Sequence, residues 1–179
     1  MRARYRALSF DLFDFARVFA TRVPDLGPRF RRMSVRITLK EGELASEPAD
    51  ALVIPAPRAS EAELAARFVI RAVATGPDGT ASEASVRGAI RSALAAAREH
   101  GAKSVVLPAL GAGAGLSLQR CAEILLEEAR AHAEQPTSLE EIRFVLSGEP
   151  AYRMFEMVND SARVAEQLAK LRQRPRPSK

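Results

Sequence analysis

The chain has 179 residues, with 27 Lys and Arg against 22 Asp and Glu, and an isoelectric point near 10. Such an excess of positive charge suggests a nucleic-acid or membrane partner. The charge, however, lies at the two ends: nine Arg and three Asp up to residue 36, and six basic residues and one Glu from residue 163. Residues 37–162 hold 12 basic and 18 acidic residues. This acidic body argues against a basic groove for sequence-specific nucleic-acid recognition.

Several other classes of protein are excluded by composition. One cysteine excludes a disulfide framework, and Cys121, His100 and His132 do not have the spacing of zinc ligands. No apolar run reaches the roughly 18–20 residues that a membrane span needs. With 47% hydrophobic residues the chain can build an ordinary core. We therefore expect a cytoplasmic, bacterial-type protein with no metal or cofactor and no membrane association.

Residues 1–34 form a basic extension with an apolar segment at 5–19. Its Phe and Leu side chains favour an amphipathic helix that docks on the body or on a protein partner. The alternative is a disordered arm, or an extension that the native chain lacks, because Met33 immediately precedes the first predicted strand. The sequence leaves both possibilities open.

From residue 35 the apolar pattern alternates between strand-like and helix-like periods. Strands are predicted at 35–39, 51–54, 68–73, 104–107 and 141–146. Helices are predicted at about 82–100, at about 117–131 and from about 150. This order predicts an α/β fold, a three-layer α/β/α arrangement with a mixed, mostly parallel sheet. Ligands of such folds bind at the carboxyl ends of the strands.

The strongest local signal is the run Gly-Ala-Gly-Ala-Gly at 111–115, between a predicted buried strand and a helix. Glycine lets backbone N–H groups turn toward an anion, and the helix that follows adds its positive N-terminal end. The run is not a P-loop, and the third glycine of a dinucleotide fingerprint falls on Leu116. The alternative is a tight turn whose small residues allow close packing.

Several segments, in the same order along the chain, resemble the macrodomains, the ADP-ribose-binding (Appr-1″-p processing) family. Residues 101–115, GAKSVVLPALGAGAG, are the most specific match, to the family pattern G-x-x-S-[IV]-A-x-P-A-[LI]-G-T-G-x-G. Residues 41–44, 49–53, 69–73 and 144–155 match further family segments. The resemblance implies a macrodomain-like domain at 35–160. The basic extension (1–34) precedes it, and a basic helix end with a disordered tail (161–179) follows it.

The departures from the family pattern concern function directly. The family's N-A-A-N falls on residues 54–57, so that Ile54 and Pro57 stand where the family has asparagines. The glycine-rich G-G-G-V segment is missing, the family's Asp is Glu43, and the His of its third strand is Arg71. Hydrolysis in such sites depends on a water positioned near the distal ribose, and Ile and Pro offer no hydrogen bond to replace the asparagines.

The segments that match the family pattern correspond to half of its ligand pocket. Its residues would be the loop Leu110, Gly111, Ala112, Gly113, Ala114, Gly115 and Leu116, with Glu43 as an acceptor for an adenine amino group and Tyr152 as a stacking partner. The first hypothesis is a non-catalytic macrodomain that binds ADP-ribose, a related nucleotide or phosphate through this loop. Its alternatives are a pseudo-macrodomain that binds a protein partner, with the 5–19 segment involved, and an ADP-ribosyl hydrolase.

Four other residues have simpler structural interpretations. His100 and His132 are expected at helix surfaces or ends, and Cys121 as a buried thiol of the core. Arg71 could clamp a phosphate, but an arginine that is solvated or paired at the end of the sheet fits the sequence better.

Overall fold

The computed structural model of the protein describes residues 35–56 and 66–172. The predictions for residues 1–34, for Pro57 and for the tail after residue 172 lie outside these ranges. Strands and helices alternate along the chain as the sequence predicts. The elements are β1 (Arg36–Glu41), β2 (Ala49–Pro55), β3 (Ala66–Ala72), α1 (Glu83–Glu99), β4 (Ser104–Leu107), α2 (Leu118–Ala133), β5 (Glu141–Leu146) and α3 (Glu149–Arg172), with a single 3-10 turn at Leu44–Ser46.

The five strands form one sheet in the order β1-β5-β4-β2-β3. Every described strand pair is parallel, including β1 with β5, where Leu39 is paired with Phe144. The α/β class is thus confirmed, and the strands are uniformly parallel where a mixed sheet was expected. Because all five strands point the same way, the loops that follow them share one edge of the sheet.

The two faces of the sheet bury different sets of side chains. One face packs with α1, α2 and α3 in the main core, and Phe144 and Phe155 meet there with ring centroids 5.7 Å apart. The opposite face forms a second cluster that contains no residue of the three helices. Its buried members are Leu52, Ile54, Val106 and Val145.

Helix α1 has clear signals at both of its ends. Ser82 caps its N-terminus in a capping box with Ser85, and Gly101 follows its last turn with a φ of +66°. Its buried residues recur at spacings of three and four and face the sheet and α2. They are Val86, Ala89, Ile90, Ala93, Leu94 and Ala97.

A buried carboxylate joins α1 to α2. Glu128, on α2, is 5% exposed and accepts hydrogen bonds from Arg91 Nε (2.6 Å) and Arg87 Nη1 (2.6 Å) on α1. The hydrogen bond from Arg91 is the largest influence, and it lowers the pKa of Glu128 below its ordinary value in spite of burial. Since the folded-state pKa is lowered, this carboxylate stabilises the fold at neutral pH, and its contribution is lost as pH falls through that pKa.

We predict that Glu128→Gln lowers the free energy of unfolding at pH 7 by about 1–3 kcal/mol, because two arginine donors lose a charged acceptor. It should also flatten the decline in stability as the pH falls below the ordinary Glu value of 4.5 and through the lowered pKa of Glu128. Urea unfolding at several pH values measures both effects. The control is Glu127→Gln, which removes the 62% exposed partner of Arg87 and should have a smaller effect. Equal losses in the two variants would contradict the role given to Glu128.

Candidate functional site

The predicted ligand-binding residues all lie on the edge formed by the carboxyl ends of the strands. Glu43 follows β1, the loop 110–116 follows β4, and Tyr152 lies in the first turn of the helix after β5. Since β5 lies between β1 and β4, these three strands are neighbours in the sheet. With strands about 4.8 Å apart, the ends of β1 and β4 are separated by roughly 10 Å, a distance that a nucleotide can span.

The loop 110–116 folds back on itself in left-handed backbone conformations. Gly111, Gly113 and Gly115 have φ values of +78°, +78° and +113°, in a region that favours glycine. Ala114 N donates to Gly111 O over 3.3 Å, and Ala112 forms a β-bridge with Leu116. Leu110, which is 1% exposed, anchors the start of the loop in the main core.

Two of the three glycines are required by packing against the start of α1. A Cβ at position 111 would lie 2.5 Å from Val86 Cγ2, and one at position 115 would lie 3.2 Å from Ala81 O. Ala81 N also donates to Ala114 O, which ties the loop to the segment before α1. The tight-turn interpretation therefore accounts for Gly111 and Gly115.

Gly113 differs from its two neighbours. A Cβ at this position would meet nothing within 4 Å. Packing thus does not require a small side chain here, and the positive φ is what favours glycine. The space beside Gly113 is open, and the residue is exposed, as Gly115 is.

The backbone supplies partial positive charge at this loop. Helix α2 begins directly after the loop, with Ser117 as its N-cap accepting a hydrogen bond from Arg120 N at 3.2 Å. The guanidinium of Arg120 donates to Glu83 (2.7 and 2.8 Å) and to Glu123 (2.7 Å), which raises the pKa of Arg120. Two carboxylates already hold this cation, whereas a helix N-terminus and loop amides are groups that can face a phosphate.

Glu43 and Tyr152 lie on the same edge in different surroundings. Glu43 is exposed, and its carbonyl, not its carboxylate, makes the hydrogen bonds with Ser46 that close the 3-10 turn. Tyr152 is half-buried and packs against the main core. The carboxylate of Glu43 is thus exposed at this edge, whereas Tyr152 contributes to core packing.

The position of the family's first asparagine is filled by buried hydrocarbon. Ile54 is 1% exposed and belongs to the cluster on the second face of the sheet. It can therefore offer a ligand neither a hydrogen bond nor exposed surface.

The two histidines, the cysteine and Arg71 lie outside the loop 110–116. His100 stacks on Phe68 with ring centroids 4.8 Å apart. His132 Nε2 lies 3.0 Å from Thr137 Oγ1, and burial lowers the pKa of His132. Cys121 is buried, and burial raises the pKa of its thiol. Arg71 is exposed on β3, outside the loop. Within residues 35–56 and 66–172, no group of three or more His, Cys, Asp or Glu could hold a metal ion.

The sequence did not reveal that the segment before α1 supports the loop. Ala81 and Val86 contact the glycines of a loop 25 to 34 residues further along the chain. Their small and apolar character is shared with many core positions, so that only the tertiary contact distinguishes them.

With this geometry established, the chain can be compared with known proteins. A family model described as Macro domain matches residues 24–125, more than half of the sequence. The protein belongs to the macrodomain family. A comparison with curated proteins gave no match.

Solved structures share the fold at low sequence identity. A Trypanosoma brucei macrodomain in complex with ADP-ribose is 21% identical with a TM-score of 0.60, and the match covers 68% of each chain. The Oceanobacillus iheyensis macrodomain with MES bound is 17% identical with a TM-score of 0.62, covering 72% of this chain and 93% of that one. The macro domain of ganglioside induced differentiation associated protein 2 is 18% identical with a TM-score of 0.55, covering 68% and 83%.

Two further structural findings complete the description of the molecule. No helix in the described ranges is long and apolar enough to cross a membrane. A groove of about 550 Å³ lies between α2 and α3, lined by helix residues rather than by the glycine loop. The predicted site is therefore an open edge, and the groove is a separate feature of the surface.

We predict that Gly111→Ala destabilises the fold far more than Gly113→Ala. Both substitutions carry the strain of a positive φ, about 1–2 kcal/mol, but only the first places a Cβ against Val86. We expect a total loss of about 2–4 kcal/mol for Gly111→Ala. Thermal and urea unfolding of the two variants measure the difference, and equal losses would show that the loop does not pack on α1 as described.

Proposed function

We propose that this macrodomain is a non-catalytic binding module that holds ADP-ribose, a related nucleotide or phosphate through the loop 110–116. The observation that carries the proposal is the place of this loop between a buried strand and a helix N-terminus, where the exposed Gly113 has open space around it. The loop lies at the carboxyl end of β4, directly before the N-terminus of α2. This is the position where α/β folds bind phosphates.

The support for the nature of the ligand comes from the family. The Trypanosoma brucei macrodomain, which has the same fold, was solved with ADP and with ADP-ribose. In the present chain a diphosphate would meet the amides of the loop 110–116. An adenine at the β1 end of the same edge would reach the carboxylate of Glu43, with Tyr152 as its stacking partner.

The proposed lack of catalysis rests on Ile54. Activation of a water at the distal ribose needs polar groups that position it, and positioning of this kind contributes several kcal/mol to barrier lowering. Ile54 is 1% exposed in an apolar cluster, so that it cannot take over the role of an asparagine. Release of ADP-ribose from a modified protein by the purified chain would contradict this part of the proposal.

The binding part is tested by calorimetric titration of the full chain with ADP-ribose, ADP and inorganic phosphate. The glycine-rich G-G-G-V segment of the family is missing from this sequence. We therefore expect weak binding, with a Kd for ADP-ribose between about 10 µM and 1 mM. Thermal unfolding in millimolar ADP-ribose should show a matching increase in Tm. The absence of both heat and thermal shift at millimolar ligand would refute the proposal.

A pair of glycine variants locates the site. Gly113→Ala should weaken ADP-ribose binding by about tenfold, because its added Cβ enters the open space that the phosphate would occupy and the strain at positive φ shifts the loop amides. The matched control is Gly101→Ala, at the C-terminal end of α1, because Gly101 also has a positive φ (+66°) and open space around it. The two variants should lose similar stability. If they also bind ADP-ribose equally well, the loop is not the binding site.

The alternative of a protein-binding pseudo-macrodomain was expected to involve residues 5–19, which lie outside the described residues.

A further inference from the structure

The loop 110–116 is held between the starts of two helices. On the side of α1, the backbone N–H of Ala81, two residues before the helix, donates to Ala114 O. On the side of α2, the loop ends directly before Ser117, the N-cap of that helix. The position of the start of α1 relative to the start of α2 therefore affects the shape of the loop between them.

One arginine joins these two helix starts. Arg120, in the first turn of α2, donates from Nε (2.8 Å) and Nη2 (2.7 Å) to the two carboxylate oxygens of Glu83, the first residue of α1. Its Nη1 donates to Glu123 on its own helix at 2.7 Å, and Gln119 Nε2 donates to the other oxygen of Glu123 at 3.1 Å. The guanidinium is thus oriented on α2 and makes a two-point contact with α1, which is geometrically specific.

The charges further along the same two helices fix their register. The ion-paired residues are Glu83, Arg87 and Arg91 on α1, and Arg120, Glu127 and Glu128 on α2. The sign of the charge thus changes after the first turn on both helices. A shift of one turn would bring Arg87 to the level of Arg120 in one direction, or Glu83 beside Glu123 in the other. Since like charges oppose both shifts, the ion pairs favour the observed register.

We infer that Arg120 is a positioning residue of the proposed ligand site: through Glu83 it holds the start of α1 against the start of α2, and so keeps the loop 110–116 in its binding geometry. The functional consequence rests on the proposed ligand binding, whereas the link between the helices does not require a ligand. Arg120 acts without touching the ligand, because each of its three side-chain nitrogens donates to a carboxylate.

Charge and geometry predict opposite effects for Glu83→Gln. Removal of this carboxylate makes the potential near the loop more positive, which by charge alone would strengthen the binding of a phosphate. If Glu83 and Arg120 position the loop, the same substitution weakens binding, because the start of α1 is released from α2. Weaker binding in both Glu83→Gln and Arg120→Gln is therefore the signature of positioning, since the two substitutions change the net charge in opposite directions.

Calorimetric titration of the full chain with ADP-ribose compares these two variants with the wild-type protein. Arg120 and Glu83 are 40% and 49% exposed, so that their link is of moderate strength, and we expect each variant to weaken binding about fivefold. The double variant should bind no worse than either single one, because all three break the same link. Unchanged or tighter binding in Glu83→Gln, or additive losses in the double variant, would overturn the inference.

The matched control is Arg91→Gln, which breaks a contact of the same kind between the same two helices. Arg91 donates from Nε (2.6 Å) and Nη2 (2.8 Å) to the two carboxylate oxygens of Glu128, about 12 Å further along α1 than Glu83. Because Glu128 is buried, Arg91→Gln should lower the stability of the fold at least as much as Arg120→Gln, but it should leave the Kd for ADP-ribose unchanged. Equal weakening of binding by Arg91→Gln would show that binding follows overall stability and would overturn the positioning role.

Amide hydrogen exchange without ligand distinguishes a failure of this inference from a failure of the proposed function. The N–H groups of Ala81 and Ala114 are hydrogen-bonded at the loop, and we expect them to exchange about fivefold faster in Arg120→Gln and Glu83→Gln, through local opening. Arg91→Gln should leave both rates unchanged. Faster exchange in a protein that binds no ADP-ribose would support the positioning of the loop and refute the proposed function. Unchanged exchange in Arg120→Gln would overturn the inference even if the wild-type protein binds ADP-ribose.

Discussion

At position 111 the backbone passes so close to α1 that even one additional carbon would lie 2.5 Å from Val86. This contact fixes the loop after β4 against the helix that follows β3, and the bond from Ala81 to Ala114 O holds it in the same place. The loop can present its amides in a defined direction because its ends are held by core packing: Leu110 is buried, and Ser117 caps α2. The proposed ligand site is therefore an extension of the hydrophobic core.

The glycine loop illustrates how packing and binding share one short segment. Gly111 and Gly115 are needed because the loop lies against its neighbours, whereas Gly113 is open to solvent. On the opposite face of the sheet, Ile54 is buried where the family has a polar residue. The chain thus keeps the glycine segment of the family pattern and has a buried Ile54 where that pattern has an asparagine. The proposed binding of a phosphate without chemistry at a ribose rests on this combination.

The charges that give the chain its high isoelectric point are unevenly distributed along the sequence. The described body contains ion pairs that neutralise most of its charges locally, such as Arg120 between Glu83 and Glu123. The excess of positive charge lies instead at the two ends of the sequence.

The sequence by itself determined the order of elements, the α/β class and the family, because buried strands, capped helices and the segment 101–115 are local patterns. It also located the candidate loop and predicted the buried state of Cys121. It did not determine which glycines serve packing, because Val86 and Ala81 come near the loop only in the folded chain. The exposure of Met157 and Leu168 was likewise not predictable, because apolar residues at helical spacing occur both in helices that the sheet covers and in helices that it does not cover. Only the tertiary structure decided these points, because they depend on distances between residues that are remote in sequence.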